Sequence, residues 1–139
     1  MFNRRQLNIT VLVLCIVMLF ASFVLAEDFK VNLNLFERLV LMGVLPQSGD
    51  FATLKIVVEL NLMLGATDEE FVAAGLEPQP DGSTIARKGW DAVPEKEFAF
   101  KEAALSIIKG ALQKLNDTKR LTMQQFRVYE KFMIVKEEK

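Results

Sequence analysis

Phe51-Ala52-Thr53-Leu54-Lys55-Ile56-Val57-Val58-Glu59-Leu60-Asn61-Leu62-Met63-Leu64 is the stretch on which the fold reading turns. It is apolar almost all the way round a helix, interrupted only by Thr53, Lys55, Glu59 and Asn61. Lys55 and Glu59, four apart, share one exposed stripe. A helix apolar on nearly every side is normally central to a fold. The expectation is therefore a central helix, with Leu54, Val58 or Leu62 buried on nearly all sides. Ser48 or Asp50 can cap its start and Gly65 can stop it.

Outward from that helix, the pattern predicts four more helical segments. Toward the N-terminus, a segment from Leu33 to Val44 takes Asn32 or Asn34 as cap and puts Phe36, Leu39, Val40 and Gly43 on one face. Pro46 ends it, because a residue before proline is pushed away from helix. Beyond Gly65, Thr67-Asp68-Glu69-Glu70 is a capping box that opens a short helix ending at Gly75. Residues 76–94 change character. Glu77-Pro78-Gln79-Pro80-Asp81-Gly82-Ser83 is turn chemistry, and a short hairpin or irregular insertion is expected there, held against the helices by Trp90.

From Pro94 or Glu95 the spacing predicts a long helix to Leu115, with Leu105, Ile108, Leu112 and Leu115 as a packing seam. Gly110 within it suggests a close neighbour or a bend. A second capping box, Thr122-Met123-Gln124-Gln125, opens the last helix, with Phe126, Tyr129 and Met133 on one face. Lys136-Glu137-Glu138-Lys139 reads as a solvated tail. The expected fold is all-α, a bundle of four to five helices with an insertion near residues 76–94.

The first 26 residues stand apart. Arg4 and Arg5 precede a stretch, Ile9 to Ala26, with no charged residue, and Val24-Leu25-Ala26 offers a small-residue exit before Glu27 and Asp28. Positive start, apolar centre and small-residue exit are the three parts of a signal peptide. Eighteen uncharged residues also reach the lower limit for an uncleaved anchor across a bilayer of about 30 Å, and a buried helix is the third reading. Either membrane reading leaves Arg4 and Arg5 inside and the rest outside. The organisation expected is a signal peptide or anchor over 1–26 and one small helical domain over 27–139. The domain would be exported, periplasmic or extracellular, or held at the inner membrane through residues 9–26.

Composition narrows function mainly by exclusion. The chain of 139 residues holds 17 basic and 18 acidic residues. Both basic residues of the first 26 are Arg4 and Arg5, so the remainder is more acidic still. A nucleic-acid surface normally shows a basic excess or stripe, and no nucleic-acid partner is expected. There is no His, and the single Cys is Cys15. Disulfides, thiolate or histidine catalysis and Cys/His zinc sites are thereby removed from residues 27–139. An exported domain without disulfides suits a bacterial envelope.

The string Phe36-Glu37-Arg38-Leu39-Val40-Leu41, followed by Leu45-Pro46-Gln47-Ser48-Gly49-Asp50-Phe51-Ala52-Thr53-Leu54-Lys55, resembles small uncharacterised helical proteins of bacteria and phages. Such proteins also tend to carry an acidic capped helix, like Thr67 to Glu70, and a Trp-bearing turn before a long charged helix. The resemblance spans residues 33–133 and implies no particular activity. Residues 1–26 depart from the usual cytoplasmic form of those proteins.

Three groups of polar residues invite a chemical reading. Asp68, Glu69 and Glu70 are acidic but lack the spacing of a hard-cation loop, and their place in a first helical turn fits capping and the helix dipole. Glu95, Glu97 and Glu102 offer carboxylates of the kind a small hydrolase needs, with Lys96 and Lys101 beside them as charge partners. Ser48-Gly49-Asp50 has neither the strand nor the His that a nucleophile elbow requires; it reads as a cap or an anion contact. No catalytic residue, cofactor or metal ligand is expected. Eleven Phe and six Met are generous for this length. Phe71, Trp90, Phe98, Phe100 and Phe132 are the residues expected to form an apolar contact surface for an unknown protein partner. The leading expectation is a non-enzymatic adaptor, inhibitor or structural component; the alternative is a carboxylate-dependent hydrolase of the envelope.

Overall fold

Phe29-Lys30-Val31-Asn32-Leu33 alternates apolar and polar residues, the period of a half-buried strand. The computed structural model, which describes residues 27–134, shows β1 there, Phe29–Leu33. Its partner is β4, Lys96–Phe100, in which Phe98 and Phe100 are buried and Ala99 between them is exposed. The two run antiparallel with Phe29 opposite Phe100, Val31 opposite Phe98 and Leu33 opposite Lys96. Phe29, Val31, Phe98 and Phe100 thus share one face of the ribbon, and that face is covered by helices. Residues 1–26, for which a signal peptide or anchor is expected, and the expected tail 136–139 lie outside the described residues.

Between the strands lie α1 (Leu35–Val44), α2 (Phe51–Leu64), α3 (Asp68–Ala74), the hairpin β2 (Leu76–Pro78) and β3 (Thr84–Ala86), and a 3-10 turn, Trp90–Ala92. After β4 come α4 (Glu102–Asp117) and α5 (Met123–Met133). The all-α expectation is thus corrected: five α-helices share the described residues with two small antiparallel sheets. The long helix expected from Pro94 is in fact a strand followed by a helix. β-alternation of Phe98 and Phe100, each buried against the core, outweighs the helix-start signal of Pro94-Glu95.

The main core joins Leu33 and Phe98 and Phe100 of the ribbon to Leu41 and Leu45, to Val57, Leu60 and Leu64 of α2, to Ile108 and Leu112 of α4, and to Val128 and Phe132 of α5. Phe132 sits at its centre, 5.5 Å from Phe100 and 5.6 Å from Phe29 between ring centroids. A smaller core of Leu35, Ala74, Leu76 and Val93 fastens α3 and the hairpin to α1. Trp90 joins it edge-on to Phe36 at 5.1 Å.

The central helix is α1, which contacts α2, α4, α5 and the 3-10 turn. Its buried residues are Leu35, Glu37, Arg38 and Leu41, a different face from the Phe36 and Gly43 stripe expected. The reason is electrostatic. Both charges at its middle find partners inside the fold, so burial there leaves no side-chain nitrogen or oxygen unsatisfied among the described residues.

Candidate contact face on α2

The site is built on α2, and three devices set that helix in place. At its start, Asp50 accepts from the Thr53 amide at 2.8 Å, and this bond holds the Asp50 carboxyl below its ordinary range. Along its length, Val57, Leu60 and Leu64 are spaced three and four apart and pack into the core. At its end, the last carbonyls face a buried guanidinium. Arg38 Nε donates to Leu64 O at 2.9 Å and Nη2 to Gly65 O at 2.6 Å. Those are among the acceptors a helix terminus leaves open.

Arg38 is itself fixed by Glu70, which accepts from Nη1 at 3.0 Å and from Nη2 at 2.9 Å. Glu70 also accepts from the Thr67 amide at 3.0 Å, closing the capping box of α3, and pairs with Lys96 of β4. The hydrogen bonds from Arg38 are the main reason its carboxyl is held at about 2, against burial that pulls the other way. One buried carboxylate thus ties α1, α3 and β4, while its arginine ties off α2. On the other side of α1, Glu37 accepts from Lys131 of α5 at 2.6 Å and from its own cap, Asn34, at 3.0 Å.

With Val57, Leu60 and Leu64 buried and Ile56 packed beside them, the opposite side of α2 is open. Phe51 is 85% exposed, Val58 57%, Leu62 80% and Met63 40%. Phe51, Val58 and Leu62, seven and four apart, form one stripe along the helix. Lys55 and Glu59 lie exposed beside it. This corrects the expectation that Leu54, Val58 or Leu62 is enclosed, Leu54 being only half-buried: α2 is apolar on two sides, and the fold uses one of them. Single exposed apolar residues are ordinary on a protein surface, but a stripe of them on one helix is what an interaction face presents. Beside it, a groove of about 260 Å³ opens between Ile56, Leu60 and Met63 of α2 and Phe100, Ala103 and Ala104.

The five residues expected to form the contact surface fall in three places. Phe98, Phe100 and Phe132 are in the main core, where Phe98 stacks on Phe100, Phe100 meets Phe132 edge-on and Phe132 meets Phe29 at a tilt. Trp90 is half-buried and docks the 3-10 turn on α1. Phe71 is 43% exposed on α3, next to the exposed Val72. The face of α2 was missed because its all-round apolarity reads as burial; the signal that could have found it is the Lys55–Glu59 pair, whose exposure drags Phe51, Val58 and Leu62 outward with it.

The carboxylates do not converge. Glu95 precedes β4 and Glu102 follows it, so an extended strand separates them by roughly 20 Å. Paired glycosidase carboxylates lie within about 10 Å. Among the described residues, no group of three Asp, Glu, His or Cys side chains is placed to hold a metal ion. A groove of about 620 Å³ lined by Lys30, Glu37, Glu95, Arg127, Glu130 and Lys131 carries both signs of charge. Its buried Glu37 is paired with the half-buried Lys131, which also lies 3.8 Å from Glu95. No described helix is long and apolar enough to cross a membrane. Comparison with family models, with curated proteins and with solved structures finds no match for this chain.

Proposed function

We propose that this chain is a non-enzymatic protein that works by protein–protein contact, as an adaptor, inhibitor or structural component, and that the outer face of α2 is its contact surface. The observation that carries the reading is the exposed row Phe51, Val58 and Leu62 on a helix whose other side is fully engaged in the core. Burying a side chain of that size is worth about 1.5–3 kcal/mol, so the row holds enough unused driving force for association. The Arg38–Glu70 network keeps α2 rigid at its C-terminal end, and a preorganised face loses less freedom on binding. The signal-like composition of residues 1–26 supports an exported or membrane-anchored location.

A photo-cross-linking amino acid placed in the full chain at position 62, and separately at position 106 on α4, tests the reading. Adducts to protein from position 62 and none from position 106 are expected. Adducts to lipid alone, or equal labelling from both positions, would overturn it. Fractionation of the same cells checks location: the chain is expected outside the cytoplasm, beginning at Glu27 or membrane-bound at full length. Full-length protein recovered from the cytoplasm would contradict export.

A further inference from the structure

We infer that the occupant of the α2 face is a second copy of this chain, docked antiparallel through the same helix about a two-fold axis near Val57. The inference rests on the reading of α2 as the contact surface. It comes from the order of residues along the exposed side.

In an antiparallel pair of identical helices, residues whose numbers are equidistant from the axis lie level with one another. With the axis at Val57, Lys55 lies level with Glu59 of the other copy, and by symmetry Glu59 with the other Lys55. The only two charges on the helix thereby pair twice across the seam. Among the described residues, neither of them sits within 4 Å of an opposite charge in the single chain. A parallel pairing would instead set Lys55 against Lys55 and Glu59 against Glu59, a like-charge arrangement that opposes contact.

Size follows the same symmetry. Leu62 lies level with Ala52 of the other copy, large against small, and Val58, one residue from the axis, lies level with Ile56 of the other copy. Phe51 lies level with Met63, beside which the groove of about 260 Å³ between α2 and the start of α4 opens. That space exceeds a phenyl ring; Ile56, Leu60 and Ala104 give it apolar walls, and Glu59 and Lys101 line it as well. A helix of 14 residues is about 21 Å long. One helix against one helix is a small seam, so the dimer is a weak and reversible one.

The test uses the full chain with Cys15→Ser and Val58→Cys, expressed in cells and treated with a short membrane-permeant bis-maleimide. A covalent dimer of the chain through position 58 is the expected product. Lys55→Glu alone, or Glu59→Lys alone, should lower its yield several-fold by setting like charges level. The double swap Lys55→Glu/Glu59→Lys should restore it, which no loss of folding can mimic. Failure of the swap to restore the dimer overturns the antiparallel pairing. A cross-link from position 58 to a different protein, with no dimer, overturns the second-copy inference and leaves the contact function standing. A cross-link inside one chain between Cys15, when retained, and position 58 would put residues 1–26 on the face and overturn both. So would the absence of any protein cross-link.

Discussion

Arg38 and Glu70, 32 positions apart in the chain, meet as a two-pronged pair in the interior, guanidinium Nη1 and Nη2 lying 3.0 and 2.9 Å from the two carboxylate oxygens. The remaining donors of Arg38 go to Leu64 O and Gly65 O. The planar fork of arginine supplies all four bonds at once; a lysine has no such geometry. The pair therefore fixes the angle at which α2 leaves the core, and with it the direction its outer face points.

Removing one partner leaves the other charged and enclosed. Arg38→Met should cost about 3–5 kcal/mol in urea titrations. Arg38→Lys should also destabilise, because the carbonyls of Leu64 and Gly65 lose their donors. Glu70→Met added to Arg38→Met should cost less than the two single changes together, since they share one network.

Acid should find the same pair. The Glu70 carboxyl is held at about 2 in the fold against 4.5 as its ordinary value. A depressed folded value means the stabilisation is present above about 4.5 and is lost as pH falls toward 2. The wild type should lose roughly 3 kcal/mol across that window from this group, and Glu70→Gln should lose far less. Urea titrations at neutral pH and near the bottom of the window compare the two slopes directly.

Two backbone positions, one within α4 and one just beyond it, should be improvable. A Cβ built on Gly110 meets nothing within 4 Å, so no described residue approaches closely enough to require this glycine. Gly110→Ala should stabilise by about 0.5–1 kcal/mol. Lys119 follows the helix with φ of 56°, a left-handed conformation that costs a residue with a Cβ. Lys119→Gly should gain about 1 kcal/mol in the same assay.

Features written within a few consecutive residues could be read from the sequence. The capping boxes Thr67–Glu70 and Thr122–Gln125 form as spaced, Asn34 caps α1, and the turn chemistry of residues 79–83 closes the β2–β3 hairpin. Ile108 and Leu112 of the α4 seam are buried as well. What escaped depends on contacts far apart in the chain. β1 is five residues long and pairs with residues 96–100, so nothing near Phe29 announces its partner. Glu37 and Arg38 are charges whose partners, Lys131 and Glu70, no local pattern joins to them. For α2 the difficulty is one of kind. A helix apolar on two sides looks the same in sequence whether the second side meets its own fold or another molecule.

That division of α2 is the central claim, and urea unfolding of Leu60→Ala beside Leu62→Lys tests it most directly. In dilute solutions of a chain beginning at Glu27, Leu60→Ala should cost about 2–5 kcal/mol, the range for emptying a packed leucine site. Leu62→Lys should stay within about 0.5 kcal/mol of the parent, since Leu62 is 80% exposed and lysine suits the end of a helix. Equal, large losses from both changes would mean that the outer row of α2 is part of the folded interior, and no contact face would remain there.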